Sequence, residues 1–156
     1  RDRQARLVGS EMCIRDRAGG QPMKILTEII TRGYHMDIYG HVNNARYLEF
    51  LEEDRWAMLE AHIDLNKWAA RGLVFMVVNI NVNYRIAVGP GMRLEVSTAL
   101  QKFGHRSAVL KQEIRLKQSQ EIAVDALVTF VIVGPDGSAV VMEGEVKEDL
   151  LQLGSG

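Results

Sequence analysis

One cysteine, Cys13, three prolines and four histidines are spread over 156 residues. A lone thiol excludes an internal disulfide framework. With histidines only at 35, 41, 62 and 105, no zinc-type ligand spacing is left either, so no metal or other cofactor is expected. Neither sign of charge dominates, with 19 Lys and Arg against 20 Asp and Glu and a net charge of −1. A general nucleic-acid binder would carry a basic excess, so no nucleic-acid partner is expected. No apolar run approaches the ~20 residues of a membrane span, and a soluble, cytoplasmic protein is the expectation. What is present is an ordinary globular composition, 47% hydrophobic and 25% charged. A chain of this length buries roughly two thirds of its unfolded surface in a single core.

The first 22 residues stand apart. Five arginines against three acids give them +2 and leave −3 for the rest. They have no sustained apolar period and end in the breaker-rich Ala18-Gly19-Gly20-Gln21-Pro22. They read as a disordered or non-native leader (1–22) before one domain over 23–153, and Cys13 within them is given no role.

From Met23 the periodicity is clear. Lys24–Arg32 alternates as a strand, and Gly33–His41 reads as a loop. Asn43 or Asn44 can cap a helix over Ala45–His62, about 27 Å long. Its apolar stripe is Tyr47, Leu48, Leu51, Met58 and Leu59, with Arg46, Glu49, Glu53 and Glu60 opposite. A mixed connection follows to Gly72, and then only strands. Leu73–Tyr84 is expected to place Val74, Met76, Val78, Ile80 and Val82 on one face, with Asn79, Asn81 and Asn83 on the other. Arg93–Lys102 turns Leu94, Val96, Thr98 and Leu100 inward, and Ser107–Lys117 turns Ala108, Leu110, Ile114 and Leu116 inward. Ile122–Val133 is apolar on both faces, as a strand covered on both sides would be. After the turn at Gly134–Gly137 come a short last strand and a helix over Glu145–Leu153. One long helix against five or six antiparallel strands gives an α+β fold, a curved sheet wrapped around the helix.

The densest polar group runs from Tyr34 to Asn44, just before the long helix. A helix start offers unpaired N–H groups and partial positive charge, which suit an oxyanion forming on a carbonyl. Asp37, seven residues upstream of Asn44, could attack that carbonyl or deprotonate a water that does. The plainer alternative is a polar loop in which Asp37 and the asparagines satisfy turn and cap hydrogen bonds.

The pattern Asp37-x-x-Gly40-His41-Val42-Asn43-Asn44-x-x-Tyr47-x-x-x-x-Glu52-x-x-Arg55 resembles the hotdog-fold acyl-CoA thioesterases of the 4-hydroxybenzoyl-CoA thioesterase type. Residues 32–35, 41–53 and 77–85 are most similar to the bacterial long-chain acyl-CoA thioesterases of β-oxidation. The resemblance implies hydrolysis of medium- to long-chain fatty acyl-CoA to free fatty acid and coenzyme A. It makes Asp37 the catalytic carboxylate, base or nucleophile, and the Asn44 backbone N–H the oxyanion donor. It also implies a homodimer or homotetramer whose partner subunit completes the pocket. The resemblance departs after Tyr84, where Ala87 and Met92 replace a proline and an aspartate of relatives and Pro90 is displaced.

Several further residues carry a functional and a plain reading. Glu52 is the backup catalytic carboxylate, or else an exposed partner of Arg55. His41 orients the loop or the thioester, or is simply a loop residue. His35 keeps a functional and a plain reading as His41 does, whereas His62 and His105 are read as structural or surface positions. Tyr47 and Tyr84 are placed near substrate. In some relatives the Gly104–Ser107 turn meets the nucleotide of coenzyme A, which would use Arg106 and Ser107; otherwise it closes a hairpin. The asparagine row is a solvated face, or a hydrogen-bonding row at a dimer seam. Trp56, Met58, Trp68, Phe75, Met76 and Tyr84 are expected in the core, some lining an acyl tunnel. Two other functions compete. One is a non-catalytic acyl-CoA-binding module, although residues 1–22 are too short for the DNA-binding domain that such regulators carry. The other is an acyl-thioester hydratase or dehydratase, whose paired His and acid motif is not found.

Overall fold

A computed structural model describes residues 26–154. The leader, Cys13 and the start of the first strand lie outside the described residues. Five strands, β1 (Leu26–Ile30), β2 (Val74–Tyr84), β3 (Arg93–Phe103), β4 (Ala108–Leu116) and β5 (Ile122–Val133), form one antiparallel sheet in the order β1-β3-β4-β5-β2. The long helix α1 (Asn44–His62) packs on its inner face, against β1, β3 and β4. This is the expected α+β architecture of a sheet wrapped around one helix.

Alternation builds the inner face. Leu94, Val96, Thr98 and Leu100 of β3 and Ala108, Leu110 and Ile114 of β4 are buried as expected. Val124, Ala126, Val128, Phe130 and Ile132 of β5 join them. From α1 come Tyr47, Phe50, Leu51, Met58 and Leu59. Each Val, Leu, Ile, Phe or Met among them contributes about 1.5–3 kcal/mol by leaving water.

The helix stripe is not wholly apolar. Asp54 is fully buried, and its Oδ1 accepts from Thr27 Oγ1 at 2.7 Å and Thr27 N–H at 3.2 Å. Its Oδ2 accepts from Thr98 Oγ1 at 2.5 Å. Gln112, at an inward position of β4, donates to Thr98 Oγ1 at 2.6 Å and to the Leu51 carbonyl at 2.9 Å. Arg55 Nη1 donates to Gln112 Oε1 at 3.0 Å. A buried polar network of this kind fixes direction as well as distance. It ties α1 to β1, β3 and β4 in one register and so sets where the helix start points.

Four local expectations are corrected. A bulge between Val77 and Asn79 inserts Val78 as an extra residue in β2. Phe75 and Val77 face the core before it and Ile80 and Val82 after it, while Val74, Met76 and Val78 are exposed. One inserted residue reverses every later side chain, because the strand period is two. Second, β5 is covered on one side only: its other face leaves Leu127 exposed beside Lys111, Asn81 and Asn83. Third, the connection before Gly72 contains α2 (Leu65–Ala70), capped by Asp64 Oδ1 accepting from Lys67 N–H at 3.0 Å. Its Trp68 is buried and donates Nε1–H to Asp149 of α3 (Gly144–Leu151) at 2.7 Å. Fourth, the last short strand is reduced to an isolated bridge between Val133 and Ala139.

Candidate active site

Between β1 and α1 the chain makes a 3₁₀ turn (Gly33–His35) and then a loop closed by a bridge between Met36 and Val42. Asp37 sits inside that loop. Its N–H donates to the His41 carbonyl at 2.8 Å, and its carbonyl accepts from Gly40 N–H at 3.1 Å. Its Oδ1 accepts from Tyr39 N–H at 2.8 Å and His41 N–H at 3.4 Å. The backbone can close so tightly because Gly40 adopts φ +75°, which a side chain would strain. That is the physical content of the Asp-x-x-Gly spacing. The turn fixes one carboxylate oxygen; Oδ2 has no protein donor among the described residues and Asp37 is exposed. The turn hydrogen bonds of the plain reading are therefore made, and they leave one oxygen for chemistry.

At the helix start, Asn43 is the N-cap and its Oδ1 accepts from Ala45 N–H at 2.8 Å. Asn43 N–H donates to the His35 carbonyl at 2.9 Å, and Arg46 N–H to the Asn43 carbonyl at 2.9 Å. Three neighbouring amides are thus engaged. The Asn44 N–H, first in the helix, has no protein acceptor among the described residues. It is a donor at the positive end of a 19-residue helix.

The surroundings hold this pair in place. Thr31, fully buried, anchors the loop after β2: its Oγ1 donates to the Gly89 carbonyl at 2.7 Å and accepts from Met92 N–H at 2.9 Å. Val88 of that loop is buried and accepts from Val42 N–H at 2.8 Å. The loop over 85–92 is therefore clamped to the turn that carries Asp37. Tyr84 donates its hydroxyl to the Asn44 carbonyl at 3.2 Å and lies 5.6 Å, ring to ring, from Tyr47. Burial pushes the Tyr47 hydroxyl above its ordinary range; the Val88 backbone offsets part of this, and Tyr84 and the Asp37 charge add to it.

The structure brings Asp37, His41, Asn44, Tyr47 and Tyr84 to one end of the sheet. His41 is exposed and meets Asp37 through its backbone. Glu52 is exposed eight residues further along α1, about 12 Å down its axis from Asn44. Its exposure matches the plain reading, but it makes no hydrogen bond to Arg55, which is buried on Gln112. Arg106 and Ser107 close the β3–β4 hairpin, where Arg106 donates to the Ala139 carbonyl at 2.7 Å. That hairpin is the whole of β3, some 35 Å of strand, from the Met92 end near Asp37. Within one chain these two residues and Asp37 are not brought together.

Of the residues expected in the core, Met58 and Trp68 are buried and Phe75 half-buried on Phe130, but Trp56, Met76 and Tyr84 are exposed. Trp56 and Met76 instead flank a groove of about 390 Å³ between α1 and β2, with Leu48, Leu59, Phe75 and Ile80. It runs along the helix away from the Asn44 end. Among the described residues no three His, Cys, Asp or Glu side chains converge to hold a metal ion, and no helix is long and apolar enough to cross a membrane.

His35, whose two readings the sequence left open, is part of the packed turn before α1. It is buried, its Nδ1 accepts from Arg32 N–H at 2.9 Å, and its ring meets Phe50 edge-on. Burial, then the Arg46 cation, hold it below the ordinary histidine value of about 6.5. The unfolded chain then binds more protons, so stability is intact above about pH 6.5 and falls as pH drops from there through the depressed folded value. His62, also lowered by burial, acts in the same direction. His35→Asn keeps an acceptor but removes the titration, and is expected to flatten the thermal midpoint between pH 7 and 5.5. An unchanged pH slope in that variant would contradict this role.

Comparison with known proteins agrees with the motif. A family model described as the thioesterase-like superfamily matches residues 31–150. The long-chain acyl-CoA thioesterase FadM of Escherichia coli (strain K12) is 44% identical over 128 residues, covering 81% of this chain and 97% of that protein. The crystal structure of YbaW, a probable thioesterase from Escherichia coli, superposes with a TM-score of 0.79 at 43% identity, covering 83% and 98% of the two chains. A 1,4-dihydroxy-2-naphthoyl-CoA thioesterase from Synechocystis shares the fold at a TM-score of 0.71 and 16% identity, covering 82% of this chain and 96% of its own. With the fold, the Asp37–Asn44 turn and these matches together, the chain belongs to the thioesterase-like superfamily.

Proposed function

We propose that this protein hydrolyses medium- to long-chain fatty acyl-CoA to free fatty acid and coenzyme A at the turn before α1. The observation that carries the reading is the idle Asn44 N–H at the start of the helix that directly follows the turn holding a carboxylate with one free oxygen. As a general base, Asp37 takes a proton from water while the hydroxide adds to the thioester carbon. The Asn44 N–H stabilises the oxyanion that forms, and one such donor is worth about 10²–10³ in rate. Collapse breaks the C–S bond and releases coenzyme A, which takes up the proton. As a nucleophile, Asp37 would displace the coenzyme A thiolate, breaking the C–S bond to form an anhydride, which water then cleaves to the free acid and the Asp37 carboxylate. His41 closes the turn that aims Asp37, and Tyr47 and Tyr84 border the reacting end of the substrate. Glu52 is the backup carboxylate. The α1–β2 groove has the apolar walls that an acyl chain needs, and the name of the Escherichia coli relative supports a long one. The test is release of coenzyme A thiol from palmitoyl-CoA. Enzyme-dependent release supports hydrolysis, whereas tight binding without release would favour a non-catalytic acyl-CoA-binding module.

The site is proposed to be completed by a second copy. Among the described residues β2 pairs only with β5, and it exposes Val74, Met76 and Val78 along 11 residues. The catalytic turn leaves Ile38 92% exposed, beside Tyr34 and Tyr39. A long apolar edge is unstable in water unless covered, and a two-fold partner covers it with the same surface. In such a dimer, Arg106 and Ser107 of one copy are available to the coenzyme A bound by the other. Light scattering at micromolar concentration is expected to give at least twice the chain's 17.5 kDa. A compact, fully active monomer would contradict the shared pocket.

A further inference from the structure

The α1–β2 groove holds a cation that an acyl chain alone does not need. Arg55 forms part of its wall and is only 6% exposed. Its Nη1 is spent on Gln112, but Nε and Nη2 have no protein acceptor among the described residues. A guanidinium stays charged and presents its N–H groups as a rigid fork. These two donors are not sealed from solvent, so water in the groove accepts from them until a ligand oxygen takes its place. Leu48, Leu59, Phe75, Val77 and Ile80 around it offer no acceptor side chain. Glu52, in the same groove, acts on Arg55 through space without a hydrogen bond to it.

The charges decide what kind of acceptor fits. Glu49 and Glu52 also line the groove, so a ligand carboxylate arriving there would meet two of its own sign. A neutral oxygen accepts from the guanidinium without that repulsion. Arg55 lies eleven residues beyond Asn44, about 16 Å along the axis at most, since its side chain leans back toward the helix start. An oxygen at that depth sits well down a long acyl chain and away from the thioester.

We infer that the groove is a subsite for acyl chains bearing a neutral oxygen, a hydroxyl or ketone, in their distal part, with Arg55 Nε and Nη2 as its donors. The inference rests on the acyl-CoA reading of the site and narrows it to a substrate class. Arg55 becomes a specificity-determining residue that touches the chain far from the chemistry.

The test uses non-hydrolysable thioether analogues, S-octadecyl-CoA and S-(12-hydroxyoctadecyl)-CoA, titrated into the full-length protein below their micellar concentrations. The hydroxyl is expected to tighten binding roughly tenfold or more, the range of a hydrogen bond to a charged group. Arg55→Met, similar in length and apolar, is expected to abolish or reverse the preference. Should Arg55→Met fail to fold, the wild-type comparison decides alone. Equal or weaker binding of the hydroxylated analogue, or binding of neither, overturns the subsite. Thiol release from the two matching thioesters reports separately on catalysis. Hydroxyl-dependent binding with no thiol release would leave the subsite standing and refute hydrolysis. Thiol release from both at equal kcat/KM would refute the subsite alone.

Discussion

Asp37→Asn is expected to lower kcat for palmitoyl-CoA by about 10²–10⁴, while KM stays within a small factor of wild type. The barrier rises by about 3–5 kcal/mol. The substitution is conservative where it matters for structure. Asparagine keeps an Oδ1 to accept from Tyr39 and His41 N–H, so the turn closed by Gly40 survives. What it loses is the negative charge and the basic oxygen. Because the acyl groove and the coenzyme end lie elsewhere, ground-state binding is untouched and the loss falls on the chemical step. A thermal midpoint unchanged from wild type is the companion observation. A large rise in KM with normal kcat would mean that Asp37 binds substrate rather than acting on it.

The largest expected effect on stability lies under the helix. Asp54→Ala removes the acceptor of Thr27 N–H, Thr27 Oγ1 and Thr98 Oγ1 at once, inside a site with no exposure. Stranding buried donors costs about 1–3 kcal/mol each before relaxation, and partial repair by water brings the expected sum to about 3–5 kcal/mol. In urea melts the midpoint should fall without a large change in slope. Asp54→Asn, which retains one acceptor oxygen and the volume, should lose less. A loss under about 1 kcal/mol for Asp54→Ala would show that the network does not hold α1 on the sheet.

The two residues differ in how far the sequence exposes their surroundings. The turn that holds Asp37 was legible because it is local: the Asp-x-x-Gly spacing, the cap and the helix start all lie within ten residues. The inward rows of β3 and β4 were legible for the same reason, since alternation is a nearest-neighbour property. Asp54 was passed over as one acid in an acidic stretch, because its partners, Thr27 and Thr98, are 27 and 44 residues away. Gln112 broke an apolar row and was skipped, although a lone amide at an inward position is what a buried network leaves in a sequence. Arg55 was paired with Glu52 on helix spacing, yet its hydrogen bond runs across the core, to Gln112 of β4. The bulge at Val78 left no trace, because an alternating run reads the same with one residue inserted until its partner strand is known. Two of the four aromatics expected inside, Trp56 and Tyr84, were misplaced by hydrophobicity alone; they border the groove and the helix start instead.

The account turns on which carboxylate does the chemistry, and one comparison addresses it: initial rates of thiol release from palmitoyl-CoA by wild type, Asp37→Asn and Glu52→Gln, each first checked to be folded. Glu52 stands about 12 Å along α1 from the Asn44 N–H, so Glu52→Gln is predicted to retain most of the wild-type rate while Asp37→Asn falls at least a hundredfold. The reverse pattern, a dead Glu52→Gln beside a near-normal Asp37→Asn, would move the catalytic group onto the helix and contradict the site described at its start.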